Sequence, residues 1–190
     1  MKKHREEFFL KTESKYLIID ITDKIQEIVN NSGIVNGEGK VCIKHTTTSL
    51  IINEREDGLL KDILNMIRIF EIVLKNTVGR LLFFGFNHDN IDKRRKKNPG
   101  LPKDECKNAL AHLLAILFGF YEISFELVDG RIDLGTYQRI QFVEFDENPD
   151  GSFKTRRISV RIIADEDEKN KCTCGGHRRY GGTSRYKISF

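Results

Sequence analysis

Three histidines of this chain stand where a ring nitrogen could act: His45 closes an apolar strand pattern, His88 opens a polar segment, and His112 interrupts an apolar helical pattern. A neutral imidazole can ligate a divalent metal or carry a proton near pH 7. After His45 come Thr46, Thr47, Thr48 and Ser49, then Asn53 and Glu54. Hydroxyls and backbone amides at a strand end can hold phosphate oxygens, although threonines are also ordinary strand residues. Asn108 precedes His112 by four residues, so the two share a helix face, and the alanines beside them leave room for a ligand or another backbone. Three internal histidines with carboxylates nearby suit zinc or a similar metal with one position open to water or substrate. The competing reading is a buried histidine satisfied by the core, and dispersed positions leave convergence to the fold.

A second cluster, Cys172, Cys174 and His177, forms a CxCxxH pattern in the tail. It supplies three of the four ligands usual for structural zinc, against the plainer reading of incidental thiols in a poorly packed tail. Cys42 reads as a small core residue, and four unevenly spaced cysteines do not make a secreted disulfide framework.

The elements that would position these groups follow from periodicity. Phe8–Leu10 and Tyr16–Ile19 read as a hairpin. Ile21, Ile25, Ile28 and Val29 repeat at helical spacing, with Thr22 or Asp23 as the cap and Gly33 as the stop. Val41, Ile43 and His45 alternate along a strand. A second extended run leads to a helix over about 57–70, with Leu60, Ile63, Leu64 and Ile67 as its buried stripe. Residues 87–106, which hold the run Lys93–Lys97 and prolines, predict a loop. The segment 108–118 predicts a central, fully buried helix with Leu110, Leu113, Leu114 and Leu117 along one stripe. Three strand-like runs then cover 121–134, turning at Asp129 and Gly130, and 138–145 and 157–163. Antiparallel strands with a few inserted helices predict an α+β domain over 1–165, followed by a charged tail over 166–190.

With 190 residues, 39% of them hydrophobic, one sizeable core is the expectation. A formal charge of +4 argues against a dedicated nucleic-acid binder, and the absence of a long apolar run reads as a cytoplasmic protein without a membrane span. The charge is uneven. The tail carries six Lys or Arg against three Asp or Glu, and Lys93–Lys97 adds five cations, so the remaining body is mildly acidic. Any nucleic acid or other anionic polymer would be met by this loop or the tail.

The strings HTTTSLIINERED, FNHD, NALAHLLAILFG and VDGRIDLGTYQRIQFVEFD, in this order, resemble the signatures of the YjbQ-like family, also called the secondary thiamine-phosphate synthase family. The resemblance covers about residues 8–163. It implies an α+β domain on an antiparallel, β-sandwich-like sheet core, commonly assembled as a homotrimer. It also implies a divalent metal, zinc or magnesium, at His45, His88 and His112. The matching polar companions are Thr46, Thr47, Asn53, Glu54, Asn108 and Gln138. The implied activity is a weak or secondary coupling of a pyrimidine diphosphate to a thiazole phosphate, leaving another phosphorylated small molecule open as the physiological substrate. The alternatives are a metal-dependent phosphate-ester hydrolase and a noncatalytic anion- or nucleic-acid-binding module. Two departures stand out. Tyr137 replaces the family's tryptophan, and a longer hairpin from Asp146 to Arg157 replaces a D-G-P-R-x-R turn, so that Arg156 or Arg157 takes the place of the family arginine.

Overall fold

The computed structural model describes residues 1–81, 85–102, 105–148 and 150–165. The Cys172, Cys174 and His177 cluster lies outside the described residues. No helix among the described residues is long and apolar enough to cross a membrane.

Among the described residues eight strands form two antiparallel sheets: β1 (Lys3–Thr12), β2 (Leu17–Asp20), β3 (Gly37–Ile43), β4 (Thr48–Glu54), β5 (Glu122–Val128), β6 (Arg131–Ile132), β7 (Gln138–Glu144) and β8 (Lys154–Ala164). One sheet has the order β1-β8-β3-β5-β6 and the other β2-β7-β4. The helices are α1 (Thr22–Ser32), α2 (Asp57–Leu81), α3 (Ile91–Lys97) and α4 (Ala109–Leu117), with one 3-10 turn at Asn87–Asp89. This is the expected α+β fold on a sheet core.

Alternation along the strands builds two cores. Phe8, Val41, Ile158 and Val160 of the larger sheet share one core with Leu50, Ile140 and Phe142 of the smaller one and with Ile25 and Ile28 of α1. Val143 and Phe145 face the other way and pack with Ile67 of α2 and Leu110 and Leu114 of α4. The small sheet is therefore buried on both faces, and the candidate site lies at one end of it.

Several expectations need correction. The predicted β1–β2 hairpin does not form, because β1 pairs with β8 over ten residues and β2 pairs with β7 in the other sheet. Tyr16, at φ +57°, turns the chain from one sheet to the other. The segment between β7 and β8 is likewise a crossover and not a hairpin, since β8 pairs with β1 and β3. Neither Thr22 nor Asp23 caps α1. The Asp20 carboxylate accepts from the Thr22 amide at 2.9 Å, while Gly33, at φ +60°, does stop the helix. The basic run is helical, with Asn90 Oδ1 accepting from the Lys93 amide at its start. Helix α2 continues to Leu81, and of its predicted stripe only Ile67 is fully buried.

Helix α4 is not central. Leu110, Ala111, Leu114 and Ala115 face the sheet, whereas Leu113 and Leu117 of the predicted stripe and Ile116 are exposed. A uniformly apolar sequence carries no phase, so packing against one side decided which face was covered.

Candidate functional site

Helix α4 is pinned to β4 by the chain that follows it. Leu50 and Phe120 exchange backbone hydrogen bonds at 2.7 and 2.9 Å, and Ser49 Oγ donates to the Phe118 carbonyl at 3.2 Å. A Cβ on Gly119 would come within 2.6 Å of Ser49 Oγ and 2.7 Å of the Leu50 carbonyl, so this approach needs glycine. The result sets His112 beside the turn between β3 and β4, near enough to Thr46 for its carbonyl to favour the imidazolium.

The 3-10 turn brings His88 onto the same spot. Its ring stands edge-on to that of His112, with centroids 4.8 Å apart. The turn is tied to α4 by Asp89, whose carboxylate accepts from the Ala109 amide at 3.0 Å. His88 Nε2 lies 3.1 Å from Asn108 Oδ1, and Asn108 Nδ2 donates to Asp146 Oδ2 at 2.9 Å. Because the Asp146 carboxylate can only accept, the network assigns Asn108 Oδ1 as acceptor and His88 Nε2 as donor. That leaves the lone pair of His88 on Nδ1. A neutral His112 likewise keeps one lone pair. Burial, then the neighbouring His88, hold the His112 imidazole below its ordinary value, against the opposing pull of Asp146 and the Thr46 carbonyl. Burial raises the Asp146 carboxyl, but Lys154 and Asn108 outweigh it and keep the group below the usual range.

His45 is held differently. Its Nε2 accepts from the Arg157 backbone amide at 2.9 Å, which uses the one acceptor of a neutral ring and places the proton on Nδ1. Nδ1 then lies 3.5 Å from Arg156 Nη1, so two donors stand side by side. Burial, followed by the charges of Arg156 and Arg157, depresses the His45 pKa and keeps the ring neutral. Arg156 is itself buried against Glu144, with Nη2 at 2.6 Å from Oε1 and Nε bonded to Oε2, and Nη2 also donates to Thr47 Oγ1 at 3.2 Å. Arg156 thus brings its guanidinium to the site. Arg157 contributes its amide and, at longer range, its charge, its side chain lying 3.8 Å from Glu7 on the surface.

Of the residues expected from the sequence, the fold groups His45, His88, His112, Thr46, Thr47 and Asn108. It does not bring Asn53, Glu54 and Gln138 to them. In the β4–β7 ladder, Thr48 faces Glu144 at the site end and Glu54 faces Gln138 at the other, about 20 Å away at ~3.4 Å per residue. There Gln138 accepts from the Gly135 amide and Asn53 from the Glu54 amide. Sequence reasoning missed Glu144, Asp146 and Lys154 as site residues. Lys154 Nζ meets Asp146 Oδ2 at 2.5 Å, and the visible signal was a pair of acids in the otherwise apolar run QFVEFD. Asn108 and Asp146 also line a cleft of about 1270 Å³ together with Phe86, Asp89 and Glu71.

Residues 6–165 match the family described as UPF0047 protein YjbQ-like. The chain belongs to this family. A UPF0047 protein of Archaeoglobus fulgidus is 37% identical over 83% of this chain and 99% of its own length. One of Methanothermobacter thermautotrophicus is 33% identical over 85% and 93%. Among solved structures, a YbjQ-like protein of unknown function from Sulfolobus solfataricus P2 superposes with a TM-score of 0.65 at 30% identity, covering 86% of this chain and 99% of that one. The relatives thus share the YjbQ-like fold over almost their whole length.

A metal implied by the family can be tested against these donors. Among the described residues no three His, Cys, Asp or Glu side chains group as a metal-ligand cluster. His88 ties Nε2 to Asn108 and keeps Nδ1 open, as ligating histidines usually do, and the His112 ring stands beside it with centroids 4.8 Å apart. His45 in this arrangement offers a proton where a ligand would need a lone pair.

Proposed function

We propose that this protein is a thiamine-phosphate-synthase-like transferase acting on phosphorylated small molecules. The observation that carries the reading is a two-sided site. His88 and His112 present lone pairs, and His45 Nδ1 and Arg156 Nη1 present adjacent donors 3.5 Å apart. Lone pairs suit a cation and paired donors suit a phosphate oxygen.

His88 and His112 would hold the ion, and two imidazoles suit zinc better than magnesium. When bound, it would supply charge stabilisation to a departing diphosphate. Arg156 and His45 would receive anionic oxygens on the other side, with Thr47 and Glu144 fixing the guanidinium. In the coupling, the carbon–oxygen bond between the pyrimidine methylene and the diphosphate breaks, the diphosphate leaves with the electron pair, and the thiazole nitrogen forms the new carbon–nitrogen bond. The Asn108–Asp146–Lys154 chain keeps His88 oriented throughout.

The test is incubation of the purified chain and zinc with a pyrimidine diphosphate and a thiazole phosphate. Coupled product that vanishes, together with bound zinc, in His112→Ala is the expected result. Release of free phosphate without coupling would replace the reading by a phosphate-ester hydrolase, and unchanged zinc content and turnover in His112→Ala would remove it. The binding-module alternative draws less support from α3, because Arg94 donates to the His88 carbonyl and pairs with Glu105 while Arg95 donates to the Pro102 carbonyl.

The same reading includes self-association, as the resemblance to a homotrimeric family implies. Its support is apolar surface: Ile69, Ile72 and Val73 on α2, and Ile116, Leu117 and Phe120 on or after α4, are exposed in the single chain.

A further inference from the structure

A second pocket lies on the same sheet, nearer its other end. The register Asp20↔Gln141 sets these two side chains next to each other on one face of the β2–β7 pair, three residues and about 10 Å along β7 from Glu144. Gln141 is fully buried. Its Nε2 donates to the Asn53 carbonyl at 3.3 Å and the Glu54 carbonyl at 3.1 Å, which fixes the amide, since a flip would turn Oε1 onto two carbonyl oxygens. The Oε1 so fixed has no hydrogen-bond partner among the described residues. A buried acceptor without a donor is destabilising, and the neighbouring Asp20 carboxylate worsens it. Gln141 lines a cavity of about 280 Å³ together with Asp20, Asp57, Ile18, Leu60 and Arg55.

The charge decides what could enter. Burial raises the Asp20 carboxyl, but the Thr22 amide and Arg139 outweigh it, so the group stays ionised. Asp23 and Asp57 add two carboxylates to the lining; Arg139 bonds Asp20 Oδ2 and Asp23 Oδ1 at 2.7 Å each, and Arg55 Nη1 lies 3.9 Å from Asp20 Oδ2, so three carboxylates face two guanidiniums and the surplus negative charge sits at Asp57. An anion is not called for at the start of α2 either, because the Glu56 carboxylate already accepts from the Gly58 and Leu59 amides at 2.8 and 2.7 Å.

We propose that this pocket binds a primary ammonium group on a short alkyl chain. Its N–H donors go to Gln141 Oε1 and to the Asp20 and Asp57 carboxylates, and its methylenes lie against Ile18 and Leu60. The pocket is separate from the histidine site and does not depend on the transferase reading.

Calorimetric titration of the full chain with n-butylammonium chloride tests this, with tetramethylammonium, potassium and magnesium chlorides as controls. Saturable binding of n-butylammonium alone is expected. It should be weakened roughly tenfold in Asp57→Asn and in Gln141→Met, the loss of one hydrogen bond to a charged group. It should also move the Gln141 side-chain amide signal in a nitrogen–proton NMR spectrum. Asp57 is exposed, so its variant and the amide signal decide the matter even if Gln141→Met fails to fold. Absence of saturation by about 10 mM, a weak limit for a specific small ligand, would overturn the proposal. So would equal response to tetramethylammonium or magnesium, or affinity unchanged in Asp57→Asn.

Discussion

Arg156 lies across the carboxylate of Glu144, Nη2 to Oε1 at 2.6 Å, with Glu144 fully buried and Arg156 nearly so. Glu144 also accepts from Thr12 Oγ1 at 3.1 Å and from the Asp146 amide at 3.0 Å, so its oxygens are fully used. Such a pair holds a cation in place beside His45 without leaving it uncompensated. Glu144→Leu strands the guanidinium and should cost about 3–5 kcal/mol in urea unfolding. The double variant Glu144→Leu, Arg156→Met should recover part of this while losing anion binding. A double variant no more stable than the single one would show that the pair is not coupled in this way.

In the proposed site Asn108 would act through His88, as a positioning residue. Replacing it by Leu keeps the volume but removes the acceptor at 3.1 Å from Nε2 and the donor to Asp146. Zinc affinity should fall by about ten- to a hundredfold, the usual effect of losing such support. The ring nitrogen shifts of His88 should also move from one fixed tautomer toward a mixture. A purely structural role would lower the melting temperature and leave the tautomer unchanged.

The acid sensitivity of the fold should include a contribution from His45. Its folded pKa lies below the ordinary 6.5 because burial and the Arg156 and Arg157 charges disfavour the imidazolium. On acidification the unfolded chain therefore takes up this proton before the folded chain does. The stabilisation is present above about pH 6.5 and is lost as the pH falls through the lower folded value. His45→Gln keeps an acceptor for the Arg157 amide but cannot titrate. Urea midpoints measured from about pH 7 down to pH 5 should fall less steeply in the variant, with His112 accounting for part of the remaining slope. Parallel curves for both proteins would refute this.

Alternation made most of the strands legible, since Val41, Ile43, Phe142 and Ile158 bury the faces that their period of two requires. The pairing of strands was not legible. Tyr16–Ile19 is as apolar and as close to β1 as a hairpin partner would be, and only the left-handed turn at Tyr16 sends it to the other sheet. At the site, Asn108 and His112 share a helix face by spacing alone. The meeting of His88 with His112 depends on Asp89 capping α4, a bond across 20 residues that no local pattern displays. The motifs group Asn53, Glu54 and Gln138 with the histidines, and the length of β4 separates them.

The close approach at Gly119 gives a test of how rigidly α4 is held. Gly119→Ala forces a methyl group against Ser49 Oγ and the Leu50 carbonyl, and the backbone on both sides is fixed by the Leu50–Phe120 bridge. The cost should be about 1–3 kcal/mol, typical of overpacking. A shift of α4 also moves His112 away from the Thr46 carbonyl, so zinc affinity should fall along with stability. A loss of stability with zinc affinity unchanged would mean that α4 yields elsewhere.

The apolar face beside His112 carries the last prediction. Ile116 lies one helical turn beyond His112 and is 64% exposed, and Phe120, just past the helix, is 67% exposed. Leaving side chains of this size in water forgoes about 1.5–3 kcal/mol each, which a second copy of the chain could recover. Ile116→Glu places a charge at that position without touching the core of the single chain. If the face joins copies, ultracentrifugation should find a larger assembly for the wild type and a smaller species for the variant, with secondary structure by circular dichroism unchanged. Because the residue is exposed in the single chain, a variant that sediments like the wild type would show that this face does not join copies.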